Sequence, residues 1–415
     1  MEDDNKIKIS ADRLWSDLNE VGKIGYSEGR GVTRTALSDA DLEAKEWLSQ
    51  KMKSAGLDVR IDAATNIIGL LETAKTRPAK ILAIGSHLDT VPSGGMFDGA
   101  LGVVAALECA RVIKEHGIKL PWDIEVINFS DEEAAHNAGT VGSRAMIGQL
   151  TAKEIYVSKA KGIPPFSEDM KRMGKDPERI GEAARDPKIF EAVLELHIEQ
   201  GNRLYTEGIQ IGAVTGIVGI YRYGVTVKGE ANHAGTTPMH LRDDALVKAA
   251  PVFTLLPQWV RARSKEMVGT IGQVTVEPGA TNVIPGNCSF IVELRSMKRK
   301  DMVAIRDVLH EWVGSQQGCT MKTIYEKDSV KLSEQVIDAI ATAAEAEGMS
   351  YIRMPSGAGH DTQSFAPFVP CGMIFVPCKE GKSHCPQEWI EPHQAADGCQ
   401  VLLRTVLELA KRAER

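Results

Sequence analysis

No stretch of this 415-residue sequence approaches the roughly 18–20 consecutive apolar residues that a bilayer-spanning helix requires. A membrane partner is therefore not expected. The first residues, Met1-Glu-Asp-Asp-Asn-Lys6, lack the basic start and apolar core of a secretory leader, so the expected compartment is the cytoplasm. The seven cysteines are odd in number and scattered, with no Cys-x-x-Cys pair among them. They read as reduced thiols, even though Cys371, Cys378 and Cys385 are evenly spaced. The glycines near residue 94 form no Gly-x-Gly-x-x-Gly fingerprint, and no phosphate-binding Gly-x-x-x-x-Gly-Lys-[Ser/Thr] occurs. Excess basic charge is also missing: 49 Lys and Arg against 56 Asp and Glu give a net charge of −7. That balance favours solubility and offers nothing to nucleic acid.

What is present is length and an α/β rhythm. A chain of this size exceeds one ordinary core, so two domains are expected. Helix-like stretches at 10–25 and 38–56 precede strands at 58–63, 67–72 and 80–85, a helix from Ala100 and a strand at 123–129. This alternation predicts an α/β domain with a mixed, mainly parallel sheet. A polar stretch at 151–188 reads as short outer helices, and the strand Ala192 to Leu196 rejoins the sheet. From about Ile211 the order becomes β-α-β-β-α-β, the ferredoxin-like α+β unit. The expected organisation is a discontinuous first domain, residues 1–211 and 329–415, interrupted by an inserted domain at 212–328.

Four places share one feature: an apolar strand ends and a metal-ligand type follows. Ile81 to Ile84 leads to His87 and Asp98; Val126 to Phe129 leads to Asp131-Glu132-Glu133; Val193 to Leu196 leads to His197; Met373 to Val376 leads to Ser383-His384. In a parallel sheet the carboxyl ends of the strands share one edge, so these residues can converge. Five such ligands serve two ions only if one carboxylate bridges them and water completes the shells. Asp98, on a glycine-flanked loop, is placed to be that bridge. Two ions about 3.5–4 Å apart activate water and polarise a carbonyl. One of the adjacent Glu132 and Glu133 can be a close ligand, leaving the other to accept a proton. Asp89 is placed to accept the second ring N–H of His87 and hold its tautomer.

The order His87-Leu-Asp89, Asp98, Glu132-Glu133, His197 and His384 resembles the co-catalytic two-metal aminoacylases and exopeptidases. Leu196-His-Ile-Glu-Gln200-Gly, Gly229-Glu-Ala-Asn-His233-Ala-Gly-Thr-Thr-Pro238, Thr281-Asn282-Val-Ile-Pro-Gly286 and Gly357-Ala358-Gly359-His-Asp361 resemble, within that clan, the hydantoinase/carbamoylase amidases. These include N-carbamoyl-L-amino-acid hydrolases, allantoate amidohydrolases and β-ureidopropionases.

The resemblance implies that His87, Asp98, Glu133, His197 and His384 hold two divalent ions, Zn²⁺ or Mn²⁺, with Co²⁺ or Ni²⁺ as alternatives. Glu132 would be the general base. His233 would stabilise the oxyanion of a neighbouring subunit's site in a homodimer, formed through the inserted domain, which would also act as a lid. Gln200, Asn282, Arg295, Gly357, Ala358 and Gly359 would bind a small carboxylate substrate. The implied reaction is hydrolysis of the C–N bond of an N-carbamoyl-L-amino acid or related ureido acid. A dipeptidase, an N-acyl or N-formyl amino-acid deacylase and a silent metal-binding protein are the alternatives. One segment departs from the family pattern: Gly-Ser-Arg-Phe is expected after the paired Glu, but Ala134-Ala-His136-Asn137 follows Glu133. That change bears on substrate choice and touches no expected ligand.

Overall fold

The computed structural model of the protein describes residues 7–136, 139–158 and 162–414. Residues 1–6, read above for a leader, residues 159–161 of the polar stretch, and Asn137 and Ala138 of the altered segment lie outside the described residues. The chain divides into two compact units, Met1–Thr215 with Lys331–Arg415, and Gly216–Val330.

The first unit is built on a nine-stranded sheet. At its centre the strands Cys371–Val376, Phe190–Ile198, Ile81–His87 and Asp123–Phe129 run parallel, side by side in that order. Every residue of Cys371–Val376 and Asp123–Phe129 is buried. Strands covered on both faces take continuous apolar runs, which is the pattern of Cys371–Val376, whereas Asp123–Phe129 also buries Asp123, Glu125 and Asn128. Antiparallel strands flank the parallel core: Ile211–Ile217 pairs with Cys371–Val376 on one side, and Ile67–Leu71 with Asp123–Phe129 on the other. The sequence places a domain boundary at 212, yet the strand Ile211–Ile217 runs through that position as part of the large sheet.

Helices Ala11–Lys23, Ala100–Glu115 and Pro392–Ala413 pack on one another. The starts of the first and the last follow capping chemistry. Ser10 Oγ accepts from Arg13 N, and Glu391 with Gln394 forms a capping box ahead of Pro392, each such cap being worth about 1 kcal/mol. The outer short helices Ala152–Tyr156, Phe166–Arg172 and Pro177–Ala183 gather Ile155, Phe166, Met170 and Ile180 against Leu37 and Val141 in a satellite core. Among the described residues no helix is long and apolar enough to cross a membrane.

The second unit is a four-stranded antiparallel sheet with two helices. The strands are Gly219–Lys228, Val268–Glu277, Asn287–Ser296 and Cys319–Lys327, in the order second, third, first, fourth. The helices Ala245–Arg263 and Arg299–Ser315 join them in the β-α-β-β-α-β order of the ferredoxin-like fold. Alternate residues Tyr221, Tyr223, Val225 and Val227 face the helices with Cys288, Phe290, Val292 and Leu294, and form that unit's own core.

Candidate active site

The parallel strands of the first unit deliver their carboxyl ends to one edge, and the expected ligands gather there. His87 is the last residue of its strand, and His197 is the penultimate residue of Phe190–Ile198. Asp98 stands just before the helix Ala100–Glu115. The turn between them needs Gly99, whose φ is +64° and whose added Cβ would lie 2.5 Å from the His87 ring.

The expected ligands form two donor clusters that share one residue. His87, Asp98 and His197 form the first; Asp98, Glu133 and His384 form the second. Asp98 Oδ1 faces His197 Nε2 at 3.3 Å and His87 Nε2 at 3.6 Å. Its other oxygen, Oδ2, faces His384 Nε2 at 3.5 Å, and His384 Nε2 is 3.1 Å from Glu133 Oε1. The carboxylate is thus presented edge-on between two sets of ligands. Both buried imidazoles are oriented by main-chain carbonyls: His87 Nδ1 donates to Asp89 O and His197 Nδ1 to Ile198 O, each at 2.9 Å. Their Nε2 atoms are therefore turned towards Asp98.

The electrostatics call for positive charge at this point. Burial opposes ionisation of Asp98, yet His197, His384 and His87 hold its carboxyl well below the usual range. Burial likewise opposes a charge on His197, while Asp98 keeps its pKa up at about 9. Hydrogen bonding to Asp98 and Glu133 raises His384 to about 11. Imidazole and carboxylate donors converging in this way fit borderline divalent cations.

Glu132 and Glu133 lie on a tight turn after the strand Asp123–Phe129. Asp131 (φ +52°) and Ala134 (φ +54°) adopt left-handed backbone there. Glu132 Oε2 is 3.8 Å from His87 Nε2. Burial, then Glu133, Asp361, Asp89 and Asp98, push the Glu132 carboxyl well above the usual carboxylate range. Asp89 differs from expectation. Its main-chain oxygen, not its carboxylate, bonds the His87 ring; the carboxylate is 3.9 Å away and instead accepts the N–H groups of Glu132 (3.4 Å) and Glu133 (3.2 Å). The side chain two residues beyond the His is directed to the neighbouring strand's turn, where two unpaired donors need an acceptor.

The model of peptidase family M20/M25/M40 matches residues 83–408. An N-carbamoyl-L-amino acid amidohydrolase of Geobacillus stearothermophilus is 40% identical over 97% of this chain and 99% of its own length. An enzyme of the same description from Paenarthrobacter aurescens is 38% identical, covering 97% of this chain and 98% of its own. Among solved structures, a hydantoinase/carbamoylase family amidase from Burkholderia multivorans superposes with a TM-score of 0.88 at 32% identity, covering 97% of this chain and 98% of that one. The chain belongs to peptidase family M20/M25/M40. It is a C–N bond hydrolase of the hydantoinase/carbamoylase type, in a family generally dependent on divalent metal ions.

The remaining expected residues of this M20 chain fall in two places. In the first unit, Gln200 (φ +57°) donates from Nε2 to Asp98 Oδ2 at 2.7 Å, and its buried Oε1 has no partner among the described residues. Gly357 is exposed, and an added Cβ there would meet nothing within 4 Å. The Ala358 N–H is taken up by Ser356 Oγ at 3.1 Å, so it is already spoken for within the loop; Gly359 is half-buried beside it.

In the second unit, His233 is exposed, and its Nδ1 accepts the N–H groups of Gly235 (3.0 Å) and Thr236 (3.1 Å). That fixes the ring proton on Nε2, the outer nitrogen. Asn282 is its neighbour, since Asn282 O accepts from Ala234 N at 3.0 Å. Arg295 Nε donates to Glu293 Oε1 at 2.8 Å, and Arg222 donates to the other oxygen of Glu293.

Sequence reasoning passed over several buried polar residues of this family member. Glu195 accepts from Ser86 Oγ and from the N–H and hydroxyl of Thr362, while His360 stands edge-on to His197 at 4.6 Å between ring centroids. The one available signal for Glu195 is a charge between Leu194 and Leu196 in the interior of a mainly apolar parallel strand.

Proposed function

We propose that this protein is a two-metal amidohydrolase that cleaves the C–N bond of N-carbamoyl-L-amino acids or closely related ureido acids. The observation that carries the reading is the Asp98 carboxylate, shared between the His87/His197 and Glu133/His384 donor clusters. The full-length relatives described as N-carbamoyl-L-amino acid amidohydrolases support the substrate class.

His87, His197, Asp98, Glu133 and His384 are the residues that would hold the ions, which when bound supply Lewis acidity and lower the pKa of water. The chain's own part is orientation and proton transfer. Carbonyls of Asp89 and Ile198 keep the two buried imidazoles turned inward, and the Asp89 carboxylate fixes the turn that presents Glu132. Glu132 accepts the proton of the attacking water and returns it to the leaving nitrogen. Gln200 Oε1 is an acceptor suited to a ureido N–H. The space beside Gly357, where an added Cβ would meet nothing within 4 Å, suits close contact with a substrate carboxylate.

The unit Gly216–Val330 is read as the dimerisation and lid domain. His233, with its proton on Nε2, is suited to donate to the oxyanion of a partner subunit's site, with Arg295 and Asn282 binding the substrate carboxylate. The test is a metal-reconstituted assay against N-carbamoyl-L-amino acids, allantoate, β-ureidopropionate, N-acyl and N-formyl amino acids, and dipeptides. Ureido acids should be turned over with the highest kcat/KM. Dipeptides or N-acyl amino acids in first place would overturn the substrate class, and activity unaffected by chelation would overturn the metal role.

A further inference from the structure

The loop that carries His384 also holds a buried carboxylate with no part in the chemistry above. Glu388 is 4% exposed. Its Oε1 accepts the main-chain N–H groups of Phe97 at 2.9 Å and Asp98 at 3.0 Å. Its Oε2 lies 3.0 Å from the Ser383 hydroxyl, and that hydroxyl is 2.7 Å from Asp98 Oδ2. Asp98 is therefore gripped twice, at its backbone by Glu388 and at its side chain by Ser383. The oxygen that Ser383 touches is the one facing His384.

The surroundings are built to admit this contact. A Cβ at residue 95 would stand 2.1 Å from Glu388 Cδ, so glycine at that position is what lets the carboxylate reach the 97–98 backbone. Phe97 and Trp389, the chain neighbours of Asp98 and Glu388, pack edge-on at 5.4 Å, and Trp15 stacks on Phe97 at 5.6 Å. The aromatic trio joins the two loops without help from Glu388. The polar contacts are then left to fix where the Asp98 carboxylate points.

We propose that Glu388 and Ser383 form a latch that sets Asp98 against His384, making Glu388 a positioning residue for the shared carboxylate and for retention of the metal pair. The inference rests on the two-ion reading of the site. A residue that fixes a ligand from behind typically changes metal affinity by about 10- to 100-fold when removed.

The experiment is a titration of chelator-stripped protein with Zn²⁺ and with Mn²⁺, read by calorimetry, beside thermal melting of the same metal-free samples. Glu388→Ala and Ser383→Ala are expected to weaken ion binding by about 10- to 100-fold, with metal-free Ser383→Ala melting near wild type and metal-free Glu388→Ala melting lower because the Phe97 and Asp98 N–H groups lose their acceptor. Glu388→Gln should rescue, because its amide oxygen keeps both N–H bonds and its NH₂ can donate to Ser383 Oγ. If Glu388→Ala does not fold, Ser383→Ala and Glu388→Gln still decide. Wild-type ion affinity in the folded alanine variants, or a Glu388→Gln variant that loses ions as Ser383→Ala does, overturns the latch alone. A wild-type protein that takes up neither ion overturns the two-ion reading and the latch together.

Discussion

The two units treat their polar residues in opposite ways. At the edge of the large sheet, His87, Asp98 and His197 are buried, and each is bonded or faced from more than one direction. In the small unit, His233 and Asn282 are exposed and held by the backbone of their own turns, and Arg295 shares one glutamate with Arg222. Donor atoms that must converge within a fraction of an ångström need a rigid, over-determined shell. Groups that recognise a substrate can sit on an independent body and complete the site by closure. On the reading proposed above, metal binding falls to buried, multiply bonded residues of the first unit and substrate recognition to exposed residues of the second.

The largest expected effect breaks the first side of this contrast. Glu132→Gln keeps the shape of the turn and removes the proton acceptor, so kcat should fall by about 10²- to 10⁴-fold with metal content unchanged by elemental analysis. His233→Ala probes the second side. Loss of an oxyanion donor should lower kcat by about 10²- to 10³-fold, again with full metal occupancy, and mixing it with a Glu132→Gln partner should restore activity if sites are completed across a dimer.

Arg295→Lys should act on recognition instead, raising KM by roughly 10-fold or more as the planar fork is lost, with a smaller change in kcat. The smallest effect belongs to neither site. Burial opposes ionisation of Glu347, but Lys8, Arg404 and Gln400 hold its carboxyl below the usual range. A depressed carboxyl stabilises the fold above its unfolded pKa of about 4.3 and ceases to do so as pH falls through its folded value. Glu347→Gln should therefore cost on the order of 1 kcal/mol at neutral pH, flatten the acid limb of a stability profile, and leave kcat and KM alone.

The sequence carried the convergence of ligands because strand ends and ligand types are both local properties. The apolar runs before His87, Glu133, His197 and His384 mark four strands, and a parallel sheet aligns their ends without further information. Glu388 was not legible by the same route. In Pro386-Gln-Glu388-Trp it looks like a loop charge facing water, and only the fold shows the Gly95 gap into which it fits. Asp89 illustrates a second limit: residue type says that a carboxylate is near, while the choice between side chain and carbonyl is set by rotamers and by which neighbouring donors lack partners. The short helices after residue 151 hid a satellite core because their apolar residues are too few per segment to show a period.

The left-handed backbone at Asp131, Ala134, Gln200 and His384 has a consequence for how this enzyme can evolve. Such conformations in non-glycine residues cost of order 1–3 kcal/mol each, so the chain tolerates instability where side-chain chemistry forbids the relaxed alternative. Gln200 and His384 cannot become glycine without losing their polar atoms from the site. Ala134 contributes none, and it stands where the related pattern has glycine. The substitution Ala134→Gly is then expected to raise the melting temperature at unchanged kcat, a reserve of stability that a designer could draw on before altering the substrate-facing residues.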